Sequence, residues 1–194
     1  MAYHGTEIDG VSIAPDGLEV RGVNLLEIIA RYRYPQAIAH MLSGCGAEAD
    51  QSGHIEAGLN AILAGMTETH PGLALTAQAA RAGADGVQAV SAGILVPLRV
   101  SVPEDIRTAL VLDDETAVGL AVVAALPVFL RVAIDPDTAA RALATARSTA
   151  PATYVEKLHA LFVASPEPVA TAALERALVG WHGGFGYLPP SVMI

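Results

Sequence analysis

The chain has 194 residues, enough for one domain with a sizeable core. Charged residues make up only 16% and aromatic residues 5% of a composition dominated by Ala, Val, Leu and Ile, which excludes intrinsic disorder and calls for extensive burial, in a core or against another subunit. The formal net charge is -9 and Lys157 is the only lysine, so the clustered cations that attract a phosphate backbone are missing and nucleic acid is not an expected partner.

Taken in chain order, Glu7 to Val11 and Leu18 to Val20 read as short strands around Pro15-Asp16-Gly17, whose residue types favour a tight turn. From Asn24 the pattern turns helical. Leu25, Leu26, Ile28 and Ile29 form one apolar stripe, and Ala37, Ile38, Met41 and Leu42 form another that closes at Gly44 and Gly46. Cys45 between those glycines has no second cysteine to pair with, which fits a reducing, cytoplasmic setting, and reads as a small buried residue. Met1 to Asp9 shows no basic stretch leading into an apolar run, so no secretory signal is expected.

Ser52 is a reasonable N-cap for a helix running through Leu59, Ile62 and Leu63 to Gly65, and Thr69-His70-Pro71 restarts the chain. Leu73 to Ala82 and Asp85 to Leu95 predict two helices parted at Gly83, the second stopped by Pro97, while Ser101 to Asp113 is the least regular stretch. Asp113 or Asp114 can cap a long apolar helix whose core, Ala117 to Ile134, reaches the lower limit of membrane-spanning length but contains Pro127 and Arg131. A charge inside a span costs roughly 2.5 kcal/mol or more, so a core or subunit-interface helix is expected and no membrane partner. The mean hydropathy of +0.45 is then a sign of burial within protein.

Asp135-Pro136-Asp137 ends that helix and opens another through Ala146. Pro151 and Pro166 introduce two more, the last carrying Val169, Leu174, Ala177, Leu178 and Trp181 at approximate helical spacing before a turn at Gly183-Gly184-Phe185-Gly186. HMLSG followed by IEAGLNAILAGM in the first half is echoed by HALFVASP followed by ALERALVGWHGG in the second, as two similar helical hairpins would require.

The stretch TEIDGVSIAPDGLEVRGVNLLEIIARYRYPQAIAHMLSG, Thr6 to Gly44, resembles the start of the citrate synthase family. There a short hairpin leads into R-G-x-x-(I/L)-x-x-(L/I) and then a helix near (F/Y)-x-x-(A/V)-x-x-L-L-x-G. The matching positions here are Arg21, Gly22, Leu25, Ile28, Tyr34, Ala37, Met41, Leu42 and Gly44. ALPVFLRVAI is similar to the family's L-P-x-(I/L)-x-A helix, and ALERALVGWHGGFGYLPPSV to the segment before the active site, A-L-x-x-x-L-(V/I)-L-x-x-x-H-G.

The resemblance implies an all-α, multi-helical citrate-synthase-like scaffold with a short N-terminal β-hairpin, residues 1–194 forming a single helical domain like the N-terminal half of the family. It also implies joining or splitting of a carbon–carbon bond between an acyl-CoA and an oxo-acid, with no bound cofactor and no metal. Histidines polarise the carbonyls in that chemistry while a carboxylate base makes an enol. The family's catalytic L-H-G-G-A and G-F-G-H histidines and its later Asp have no place before Ile194. A homo- or hetero-oligomer with a second citrate-synthase-like chain that carries the catalytic His and Asp is therefore expected.

Of this chain's own residues, His182, Gly183 and Gly184 are the expected substrate-binding set, because glycine lets backbone approach a ligand closely. No residue is assigned as catalytic. His182 aligns two ways: the helix before it matches the segment of the oxo-acid-binding His, and the bare H-G-G triplet copies the catalytic one. As a helix-end residue it could equally serve the negative end of the helix dipole. In a short citryl-CoA lyase-type enzyme with His182 catalytic, the carboxylate would come from Asp85, Asp113 or Asp114. His70 matches a structural H-P-M turn of the family, and His40 and His159 lie beside apolar residues as boundary or core histidines. His4 and His54 carry no signal. No His-x3-His or His-x2-Cys spacing offers a metal site, and the glycine-rich turn lacks the Lys-Ser or Lys-Thr of a phosphate loop.

Overall fold

The structure, a computed structural model, describes residues 19–43, 49–98, 100–148 and 153–180. The strand expected at Glu7 to Val11, the turn at Pro15-Asp16-Gly17, Cys45 and the triplet at His182 lie outside these residues.

The described fold is all-α apart from one small hairpin. Strands β1 (Glu19–Val20) and β2 (Val23–Asn24) pair antiparallel, Glu19 against Asn24 and Val20 against Val23. They turn on Arg21 and Gly22, both left-handed at φ 48 and φ 77, the geometry that matches strand twist in a two-residue hairpin. This hairpin lies one step further along the chain than the pairing expected around Pro15 to Gly17. Arg21 tolerates the strained conformation while its Nε donates to the Met41 carbonyl at 2.8 Å, tying the turn to α2.

Ten helices follow among the described residues: α1 (Leu25–Arg31), α2 (Tyr34–Ser43), α3 (Ala49–Gly65), α4 (Pro71–Arg81), α5 (Gly86–Ile94), α6 (Glu104–Leu110), α7 (Asp114–Ile134), α8 (Ala139–Arg147), α9 (Tyr154–Phe162) and α10 (Pro168–Gly180). Their starts follow capping chemistry. Asn24 accepts from the Leu26 amide, while Asp85 with Gln88 and Thr153 with Glu156 form reciprocal capping boxes. Asp113 caps α7, and the Thr116 amide holds its carboxyl below the usual range.

Two expectations are corrected. Ser52 is not a cap, since α3 already begins at Ala49 and carries Ser52 inside its first turns. The stretch 101–113 is not irregular throughout, because Pro103 sets up α6 with Glu104 and Asp105 in its first turn, where acids suit the helix dipole. Val111 at φ 52 then ends that helix in the left-handed conformation, usually reserved for glycine.

Helix α7 is the centre of the molecule and packs against α3, α4, α5, α8 and α9. Leu120, Ala124, Val128, Phe129 and Val132 are buried on it and belong to one cluster that also takes in Ile28, Tyr34, Leu59, Leu63, Leu73, Leu143 and Tyr154. By length and composition α7 could cross a membrane, yet 50% of its most apolar stretch is buried inside the protein. Helices α4 and α5 meet closely at Gly72 and Gly93. A Cβ on Gly72 would stand 2.5 Å from the Gly93 carbonyl oxygen, so larger residues would force the pair apart.

Candidate functional site

The described residues with the densest polar chemistry lie where two helix pairs meet, α2 with α3 and α9 with α10, the same segments that echo each other in sequence. His40 and His159, Ile38 and Lys157, and Glu56 and Glu175 are separated by the same interval along the chain, with Tyr34 and Tyr154 one residue out of that register.

The two pairs exchange caps. Glu175 on α10 accepts from the Tyr34 amide at the start of α2 at 3.1 Å, and Glu56 on α3 accepts from the Tyr154 amide at the start of α9. Each helix start thus has a free amide satisfied by a carboxylate from the other pair, where negative charge also suits the dipole. Between them Tyr34 and Tyr154 stack at 5.9 Å with their planes 13° apart. Burial raises the pKa of both phenols far above the usual tyrosine range, so both stay protonated.

Tyr154 has a second task. Pro127 within α7 has no N–H, which leaves the Val123 carbonyl without its helical donor. The Tyr154 hydroxyl lies 3.2 Å from that carbonyl oxygen and 3.3 Å from that of Ala124, and donates there. The L-P pair of the apolar helix and the tyrosine that opens α9 are therefore one structural unit.

Clefts flank the stacked tyrosines. One, of about 320 Å³, is lined by Arg33, Thr153, Glu156, Thr171 and Glu175. The other, of about 220 Å³, is lined by Arg33, Gln36, Ser52, Glu56 and Thr153. Arg33 stands in both and pairs with Glu175 at 3.2 Å. A third cavity, of about 310 Å³, is apolar and distant from them in the fold, between the segment Leu98–Val102 and the α7 residues Ala117, Val118 and Ala121.

Among the described residues, no histidine lines these three cavities. His70 caps α4, its Nδ1 accepting from the Gly72 amide at 3.1 Å and its ring edge resting on Phe129. His40 donates from Nε2 to the Val20 carbonyl at 2.9 Å and holds the hairpin on α2. The Thr171 hydroxyl donates to the Glu167 carbonyl, so His159 Nδ1 at 2.7 Å is the donor to Thr171 and staples α9 to α10. All three histidines are buried, as their apolar neighbours in sequence imply.

Asp85 and Asp113 serve as helix caps, and Asp114 pairs with Arg107 at 2.6 Å. No group of three His, Cys, Asp or Glu side chains converges among the described residues. His182, Gly183 and Gly184 fall outside those residues. What sequence reading missed is Glu56 with Lys157 and Arg33. The missing signal was the matched Ile-Glu and Leu-Glu of the two echoing segments, visible as a repeat but not as an exchange. No family model, no curated protein and no solved structure matches this chain.

Proposed function

We propose that the chain is a citrate-synthase-like subunit that supplies scaffold and substrate-binding elements to the condensation or cleavage of an acyl-CoA and an oxo-acid in the cytoplasm. A partner chain of similar build carries the catalytic His and Asp. The observation that carries this reading is the ordered set of motifs from Arg21-Gly22 through Tyr34 to the L-P helix and the H-G-G triplet. The arrangement of hairpin, α1 and α2, with Arg21 anchoring the turn on the Met41 carbonyl, is consistent with that order.

His40, His70 and His159 are committed to caps and staples, which favours placing the carbonyl-polarising groups at His182 and on the partner. It also supports a second reading, a non-catalytic binding or scaffolding protein that keeps the helical architecture without the chemistry. The test is thiol release from acyl-CoA in the presence of an oxo-acid, with the chain alone and in complex with a co-purifying partner. Turnover only in the complex, lost in His182→Ala with assembly intact, supports the subunit reading. Turnover by the chain alone rejects the two-chain arrangement, and an intact complex that binds neither substrate supports the scaffold.

A further inference from the structure

We propose that the apolar cavity between the segment 94–102, α6 and α7 binds a small amphipathic carboxylate, with the apolar body inside and the acid group on Arg107. This cavity shares no lining residue with the clefts beside the stacked tyrosines, and the proposal does not rest on the subunit reading.

The wall opposite α7 is seated on α3. Val100 lies over Gly65, where a Cβ would stand 2.9 Å from Val100 Cγ1, and Ile106 lies over Gly58, where a Cβ would stand 3.3 Å from Ile106 Cγ2. The two glycines are about two turns apart on one face of α3. The space left against α7 is about 310 Å³, at the lower end of the range for ligand pockets. Ile94, Leu98, Val102, Val118 and Ala121 line it, which suits a small apolar body.

Arg107 and Asp114 line the same cavity. Arg107 Nη2 donates to Asp114 Oδ1 at 2.6 Å, but Arg107 Nε is a buried donor with no acceptor. A buried donor left unpaired is costly and uncommon in folded proteins, so such an orphan on a residue that lines a cavity points to an acceptor arriving from that cavity. Nε and Nη2 form one edge of the planar guanidinium, the pair of donors that a carboxylate takes with both oxygens. Asp114 uses only one of the two. Its side chain is 93% exposed, so its pair with Arg107 is weak and readily exchanged. A ligand carboxylate on both donors satisfies Nε and releases Asp114 to solvent. The competing account is an apolar crevice that binds by hydrophobicity alone, with Arg107 taking no part.

Hexanoate, hexan-1-ol and acetate separate the two accounts through the amide chemical shifts of the full wild-type chain. Hexanoate should give saturable shifts at Leu98, Val102, Arg107 and Ala121. Hexan-1-ol should bind about tenfold more weakly through its apolar body, and acetate at equal concentration should leave these amides unmoved. Absence of saturable shifts with hexanoate, shifts confined to other residues, or equal affinity for the alcohol or for acetate would overturn the proposal. Arg107→Gln should bring hexanoate down to the affinity of the alcohol, and retention of the wild-type affinity would overturn the assignment. Asp114→Asn removes the competing carboxylate at an exposed position, and should tighten hexanoate about threefold while leaving hexan-1-ol unchanged. Unchanged or weaker hexanoate binding in that variant would show that the acid group does not replace Asp114 on Arg107.

Discussion

The pairs α2–α3 and α9–α10 share a sequence pattern and do different work. In the first, Tyr34 begins a helix bound to the hairpin by His40 and Arg21, and Ile38 points into the core. In the second, the equivalent tyrosine reaches across to repair α7 at Pro127, and the equivalent of Ile38 is Lys157. Matched backbone and matched glutamates thus leave the fold free to vary what sits between them. Glu56 shows the consequence, because besides its cap it accepts from Asn60 on its own helix, whereas Glu175 pairs with the exposed Arg33.

The difference can be probed by substitutions of decreasing effect. Tyr154→Ala removes a buried ring and the hydroxyl that serves α7, and should cost about 3–5 kcal/mol in denaturant unfolding, more than Tyr34→Ala. Tyr154→Phe keeps the ring and leaves the Val123 carbonyl unpaired, at a cost of about 1–3 kcal/mol. If Pro127 is the reason for that bond, Tyr154→Phe should cost clearly less in a Pro127→Ala background, where the restored N–H serves Val123. A double-mutant cycle with no coupling would dissociate the two residues.

The glutamates should also be unequal. Glu56→Ala is expected to cost about 2 kcal/mol, since it strips a helix start and the Asn60 amide of an acceptor. Glu175→Ala should cost about 1 kcal/mol, because it loses a cap and an ion pair with an exposed arginine. Lys157→Ile, which copies the α2 residue onto α9, should raise stability by about 1 kcal/mol as a buried amine is replaced by a hydrocarbon side chain. Equal costs for the two glutamates, or a loss of stability in Lys157→Ile, would erase the asymmetry.

Much of this was legible in the residues. Apolar spacing and capping residues located most helices, since Asn24, His70-Pro71, Asp85 and Asp113 each act locally on the backbone beside them. The failures came where tertiary packing decides. Ser52 carries a capping side chain but sits within a helix that the burial of Ile55, Leu59 and Ile62 extends forward, and α6 is too short for periodicity to reveal. The exchange of Glu56 and Glu175 could not be read at all, because it joins residues 98 and 141 positions apart and no local pattern encodes the pairing.

That exchange is most directly tested by amide hydrogen exchange in Glu175→Ala and Glu56→Ala under native conditions. Reciprocal capping predicts faster exchange at Tyr34 in the first variant and at Tyr154 in the second, each in the helix pair that was not altered. Faster exchange confined to the pair carrying the substitution would contradict it.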